Sequence, residues 1–338
     1  MNIRSALRAG EWWEYKLVPI LTVGYMTALK AGNNLLPTSL WIVFVFFSLI
    51  VGASYVSLIN DITDIEEDRA AGKKNRMAAM KPAVRLVFPA MMVLSGVGFG
   101  YFYSAHLLSV LLYLASWIVF SCYSIPPVRL KTRGIWGVFA DGTASQFFPS
   151  LLMVSFISFK TGQPVNFMWF CAVGGWSFAL GLRGILWHQF HDLQNDKKIG
   201  INTFAVRTNE STIRLLGRLL IMIELVSLFL MLYYFNAMLP LIALALYLIN
   251  IAVTYRLRRI TQVIIKPSGF EEYRIFMSEF YIVFLPLSVL IDAGIQYPGN
   301  WIILAIHLIL FPANLYKTIA NGIGIIQSVL IKLKPGRN

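Results

Sequence analysis

Apolar runs long enough to cross a bilayer recur along this chain, and they restrict its fold more than any other feature. Leu40–Ile59 is the clearest, twenty residues without one charged side chain. About twenty residues is the length of a transmembrane helix, whereas a membrane strand needs only about ten. In lipid a helix satisfies its own backbone polar groups, so repeated runs of this length imply a helical bundle. Spans are expected near 16–32, 39–60, 84–104, 106–124, 135–157, 167–190, 212–235, 238–256, 273–294 and 300–316. The third and fourth are almost continuous through His106, which requires a tight turn, and Pro312 and Asn314 interrupt the tenth. The expected fold is an all-α integral membrane protein of nine to ten transmembrane helices. With 57% hydrophobic and 13% charged residues, the composition excludes an ordinary soluble domain. Its two cysteines, Cys122 and Cys171, both lie in apolar segments and offer neither a disulfide framework nor a thiolate metal site.

Charge orients the bundle. The loops at 61–83, 125–134, 191–211 and 257–272 fall on one side and hold nearly all the loop Lys and Arg, including Arg256, Arg258 and Arg259. Lys30 and Lys160 are the basic residues of the opposite side. The positive-inside rule makes the basic side cytoplasmic, in a plasma or inner membrane. The formal net charge of +13 then reflects an inner-leaflet surface and phosphate-bearing substrates rather than nucleic acid. Residues 1–15, with paired Trp12 and Trp13, read as an amphipathic interfacial segment rather than a cleavable signal. Residues 16–316 form the membrane domain. Residues 317–338, with Lys332, Lys334 and Arg337, read as a basic cytoplasmic tail.

Three polar stretches interrupt the apolar pattern on that side. Asn60, Asp61, Asp64 and Asp68 follow the second span directly, and on a helix Asp61, Asp64 and Asp68 share a stripe at i, i+3 and i+7. Carboxylates so placed repel one another and call for a cation between them, and an all-oxygen set suits Mg²⁺. Arg69, Lys73, Lys74 and Arg76 come next, a counter-surface for a polyanion. The pattern D-x3-D-basic-x2-G, from Asp64 to Gly72, recurs 128 residues later from Asp192 through Asp196 to Gly200, after the sixth span. Two polar helix ends closed by glycine are the plainer account of that repeat. The third stretch, Tyr123–Gly134, reads YSIPPVRLKTRG; Pro126 and Pro127 end a helix, and Arg129, Lys131 and Arg133 alternate in direction.

Together, NDxxDxxxDR at Asn60–Arg69, YSxPPxRLKxRG at Tyr123–Gly134 and DxxxD at Asp192–Asp196 resemble the UbiA superfamily of intramembrane prenyltransferases, over residues 10 to 300. The resemblance implies a bundle, usually of nine spans, around a central cavity with a cytoplasmic cap. It implies that Asn60, Asp64, Asp68, Asp192 and Asp196, with Asp61 beside them, hold Mg²⁺ bridging a prenyl diphosphate. It assigns catalysis to Asp64, Asp68, Asp192 and Asp196, and diphosphate binding to Arg69, Lys73, Arg76, Arg129 and Lys131, with Tyr123 and Ser124 lining the site. The partners implied are a prenyl diphosphate and a lipophilic or amphiphilic acceptor within the membrane lipids. The diphosphate leaves from an allylic carbon, and the acceptor captures the cation.

Two departures stand out. The family often carries an Asp three residues before the second DxxxD, where this chain has Gln189, a neutral oxygen only. Some relatives place Pro after the first basic run, where this chain has Arg76-Met77. His188 and His191 stand beside Gln189 as acceptor-side residues, with a histidine metal site as the alternative. Arg183 within the sixth span either faces the cavity or pairs with Asp141 of the fifth. Two other functions fit part of the pattern: a membrane terpene cyclase, and a transporter that passes cations between the carboxylates.

Overall fold

The structure, a computed structural model, describes residues 9–265 and 272–333. Residues 1–8 of the expected interfacial segment, and Lys334 and Arg337 of the expected tail, lie outside the described residues. The main helices are α1 (Leu17–Lys30), α2 (Leu35–Thr63), α3 (Ile65–Ala70), α4 (Pro82–Tyr103), α5 (Leu107–Ser124), α6 (Ile135–Gly142) and α7 (Phe148–Lys160). They continue as α8 (Phe167–Ile199), α9 (Glu210–Phe235), α10 (Met238–Arg258), α11 (Leu285–Gln296), α12 (Trp301–Leu310) and α13 (Pro312–Leu333). A π-helical turn, Thr143–Phe147, joins α6 to α7, and another, Phe280–Phe284, leads into α11. A proline follows each widened turn, Pro149 and Pro286, where the missing N–H would break the α-helical ladder.

Among the described residues, counting α6 and α7 as one, seven helices are long and apolar enough to cross a membrane, which makes this an integral membrane protein. They are α2, α4, α5, α6–α7, α8, α9 and α10, and each overlaps an expected span. The expected tight turn is present between Tyr103 and Leu107. Three expected spans take other forms. Helix α1 has fourteen residues, about 21 Å at 1.5 Å per residue, short of a hydrocarbon core of about 30 Å. The span expected at 273–294 opens as a strand: β2 (Tyr273–Ile275) pairs in parallel with β1 (Thr261–Val263). The span expected at 300–316 is broken, because α12 and α13 meet at 84°. Pro312 removes an N–H and disfavours helical geometry at Phe311, which sits at φ −128°, ψ 58°.

That break is held from the other end of the chain. The Glu14 carboxylate, buried at 7% exposure, accepts from the Ala313 and Asn314 N–H groups at 2.8 and 2.7 Å, so an anion caps the first turn of α13. Trp13 Nε1 donates to the Leu310 carbonyl at 2.8 Å, taking up an acceptor at the end of α12. Residues 317–333, expected as a tail, therefore belong to a helix.

A buried ion pair in the bundle interior joins α8 to α9. Arg183 donates through Nε and Nη2 to both oxygens of Glu224, each at 2.8 Å, with the side chains 3% and 0% exposed. Arg183 thus pairs with Glu224 rather than with Asp141, which lies instead 3.9 Å from Lys16. A planar guanidinium meeting a carboxylate through two bonds is the geometry that best offsets desolvation. Breaking a buried pair from one side leaves an uncompensated charge and costs about 3–5 kcal/mol. Glu224→Ala is expected to lower the thermal transition in detergent sharply, and Arg183→Met with Glu224→Leu to recover most of the loss. An unchanged transition in Glu224→Ala contradicts this account.

Candidate functional site

The polar residues of the first motif sit where α2 ends. Asn60 and Asp61 occupy its last turn, and the helix breaks at Asp64 (φ −104°, ψ 7°) before α3 restarts. The three aspartates therefore do not share one continuous helical stripe, and basic and amide side chains stand between them. Asp61, 5% exposed, lies 3.8 Å from Arg76 Nη1. Asn75 Nδ2 donates to the Asp61 carbonyl at 2.6 Å and to Asp68 Oδ2 at 2.8 Å. Its Oδ1 accepts from the N–H groups of Met77 and Ala78. One amide thus fastens the loop back onto the motif.

The third stretch reaches the same place from α5. Arg129 Nη2 lies 2.9 Å from Glu67 Oε1 and 3.2 Å from Asp64 Oδ1. Lys131 contacts Asp64 and sits 3.1 Å from Glu67 Oε2. Arg133 turns back to the Pro127 carbonyl at 2.9 Å, so only two of the three alternating cations face the motif. Arg129 holds a left-handed backbone (φ 38°), a costly conformation for a residue with a side chain. Its Nε is buried and has no hydrogen-bond partner among the described residues. Ser124 donates to Asn60 Oδ1.

The second motif ends α8 in the way the first ends α3. Gly72 and Gly200 adopt left-handed backbones at φ 67° and 73°. Lys73 N donates to the Asp68 carbonyl at 2.8 Å, and Ile201 N to the Asp196 carbonyl at 3.0 Å. Each is the six-to-one bond that closes a helix on glycine, so the sequence repeat is also a geometric one. Asp196 accepts from Thr203 Oγ1 at 3.2 Å, and Thr203 forms a parallel bridge with Gly134 of the third stretch. Lys73 Nζ lies 4.0 Å from Asp192, which connects the two motifs.

Most sequence-selected residues meet at this end, but three stand apart. Arg69 is exposed on α3 outside these ion pairs. Gln189 is buried, with its Oε1 accepting from Ala205 N at 3.3 Å, so that oxygen serves the backbone. His191 stacks on Trp187 at 5.5 Å and 15°. The sequence reading overlooked Glu67, Asn75, Lys16 and Thr203. The acidic doublet Glu66-Glu67 was a usable signal for the first, but nothing local marks the others.

Beneath the polar end lies a cavity of about 220 Å³ between α1, α2, α5 and α7. It runs along α2 from Asn60 to Ser48, about 18 Å at the helical rise, with Gly52, Tyr113, Trp117 and Leu152 in its walls. A second cavity, about 390 Å³, opens between α1, α6, α8 and the segment leading into α11. Lys16, Asp141, Ser145, Ile185 and His188 line both.

Among the described residues, no three His, Cys, Asp or Glu side chains form a cation cage. The oxygen donors pair with basic or amide groups instead. They remain a set suited to a hard divalent ion. The spare Arg129 Nε–H suits an anion.

The UbiA prenyltransferase family model matches residues 17–264 of this chain. Two solved structures of a UbiA homologue from Archaeoglobus fulgidus, one bound to GPP and Mg²⁺ and one to DMAPP and Mg²⁺, superpose with TM-scores of 0.57 and 0.51. Both are 14% identical in sequence, and the matches cover 87% and 88% of this chain and 98% of the homologue. No curated protein matches the chain at a significant level.

Asn75→Ala strands four backbone or carboxylate partners of its amide, at about 1–3 kcal/mol for each buried group left unsatisfied. Hydrogen exchange across residues 70–80 should accelerate selectively, while α9 and α10 stay protected. Equal exchange in both proteins contradicts the fastening role of Asn75.

Proposed function

The chain belongs to the UbiA prenyltransferase family, and on that premise we propose that it transfers a prenyl group from a prenyl diphosphate to an acceptor within the membrane. The observation that carries this reading is the convergence of both acidic motifs and the Arg129–Lys131 loop at one end of the bundle, over the mouth of an apolar cavity. The polar end takes the diphosphate, and the cavity takes the hydrocarbon.

Asn60, Asp61, Asp64, Asp68, Asp192 and Asp196 would hold Mg²⁺, which neutralises the charge of the departing diphosphate when bound. The A. fulgidus homologue was solved with Mg²⁺ and the prenyl diphosphates GPP and DMAPP. Arg76, Arg129, Lys131 and Lys73 would turn from their carboxylate partners to phosphate oxygens, leaving those carboxylates free to hold a metal. Arg129 Nε adds a donor that no other group among the described residues uses. Tyr123 and Ser124 close the side facing α5. The carbon–oxygen bond then breaks with its electron pair leaving on the diphosphate. Donors fixed in place before reaction favour that charge separation. The walls of the 220 Å³ cavity keep water from the allylic cation.

The positive-inside distribution supports a cytoplasmic placement of this end. Added to the seven long helices, the two shorter apolar helices α1 and Phe280–Gln296 would give nine crossings if both reach across, and the bent α12–α13 pair would give a tenth. The second cavity, joined to the first along a shared wall, favours an external acceptor over internal cyclisation.

Purified protein in lipid, supplied with Mg²⁺, labelled prenyl diphosphates and a membrane extract, is expected to transfer label. Asp64→Ala and Asp192→Ala should each lose about 10²-fold or more in turnover, the scale of removing one transition-state stabilising group. Retention of activity in both variants contradicts the proposal. Gly52→Leu projects into the first cavity, where an added Cβ would meet only Trp117 at 3.9 Å. It should shorten the longest prenyl chain accepted while sparing the shortest. Loss of all chain lengths alike contradicts the placement of the prenyl chain there.

A further inference from the structure

The second cavity has a polar lining that the ionisation step does not use. Gln146, 4% exposed, donates through Nε2 to the Lys16 carbonyl at 3.4 Å, but its Oε1 is buried without a partner among the described residues. Trp187 Nε1, across the cavity on α8, is likewise buried and unpartnered among them. Gln146 Oε1 is a vacant acceptor and Trp187 Nε1 a vacant donor, the Tyr281 hydroxyl in the same lining is also buried and unpartnered among the described residues, and together they call for a ligand that both donates and accepts. Buried polar groups are rarely left unpaired.

The charges of the lining cancel. Arg183 faces this cavity, but Glu224 takes two of its donors. Lys16 has Asp141 at 3.9 Å. No cation in the lining stands without a counter-ion, so a carboxylate or phosphate on the ligand would bring an uncompensated charge into the interior of a bilayer. His188, which faces both cavities with Lys16 and Asp141, lies against Trp187 at 4.8 Å.

Resting on the transferase reading above, we infer that the second cavity holds the acceptor, and that the acceptor is an uncharged, hydroxyl-bearing molecule such as a phenol, a quinol or an alcohol. Its hydroxyl donates to Gln146 Oε1, and an oxygen accepts from Trp187 Nε1. Its nucleophilic atom reaches the prenyl carbon across the wall that the two cavities share. The new bond to that carbon uses the acceptor's electron pair as the carbon–oxygen bond to diphosphate breaks. The proton the acceptor loses passes to Asp141, the carboxylate that lines both cavities beside Lys16.

Gly184 gives a selective test. It lines the second cavity, and a Cβ added there meets nothing within 4 Å. Wild-type protein in lipid would receive Mg²⁺, labelled geranyl diphosphate, and either the neutral or the anion-exchange-retained fraction of a whole-cell solvent extract. Label is expected in the neutral fraction only. Gly184→Leu should lower that transfer about tenfold or more while geranyl diphosphate affinity, measured by titration, stays within about twofold. Trp187→Phe keeps an aromatic side chain but removes the N–H together with one ring of the indole, so it should raise the apparent KM for the neutral fraction with kcat little changed. Asp141→Asn should do the reverse. Labelling of the retained fraction overturns the inference, as does wild-type transfer by Gly184→Leu and Trp187→Phe together. Transfer to neither fraction with geranyl diphosphate still bound also overturns it. Absence of magnesium-dependent geranyl diphosphate binding in the wild type would instead remove the transferase reading itself.

Discussion

The ion pairs that bind Asp64 and Glu67 to Arg129 and Lys131 join the break after α2 to the loop after α5, and the polar end of the bundle is organised around them. Each partner is partly shielded from water, so the attraction is stronger than at an open surface. The same four charges are the ones that a metal–diphosphate pair needs, with opposite assignments. A divalent cation is the natural partner of the carboxylates, and a diphosphate is the natural partner of the guanidinium and ammonium groups. The internal pairs keep these groups compensated and aimed at one spot, and they set a threshold that neither ligand overcomes easily alone.

The apolar bundle makes that arrangement useful. Helices α2, α5 and α8 deliver the two motifs and the basic loop to one level, and the left-handed glycines Gly72 and Gly200 turn each chain back after its last aspartate. Below them, Arg183 and Glu224 hold α8 to α9 through a pair that leaves no net charge in the core. Both cavities rely on that neutrality. One lies along the apolar wall of α2, and the other presents isolated polar atoms beside a cancelled set of charges.

How much of this could be read from sequence depended on the range of the interaction. Apolar runs report burial in lipid directly, so the seven long helices fell close to their expected bounds. The repeated D-x3-D-basic-x2-G reported a helix end, and its two copies close on the same hydrogen bond. Pairings between distant segments were harder. For Arg183 the expectation was a place facing the cavity or a pair with Asp141, although Glu224 was also a lone acid in an apolar run and ends up opposite it. Which turn of one helix faces which turn of another is set by packing, and spacing along the chain does not reveal it. Asn75 was hidden inside a basic run whose charge drew attention away from its amide. The break at Phe311 was signalled by Pro312, but the 84° bend also needs Glu14, about three hundred residues away in sequence.

The most direct test of the central claim is calorimetric titration of Mg²⁺ and of geranyl thiolodiphosphate, a slowly ionising analogue, each with and without the other. If carboxylates and basic residues must release one another together, each ligand should raise the affinity of the other by the same factor, as thermodynamic linkage requires. A coupling of tenfold or more, lost in Lys131→Ala, is the predicted result. Independent binding of the two, with affinities unchanged by the partner, would contradict the account.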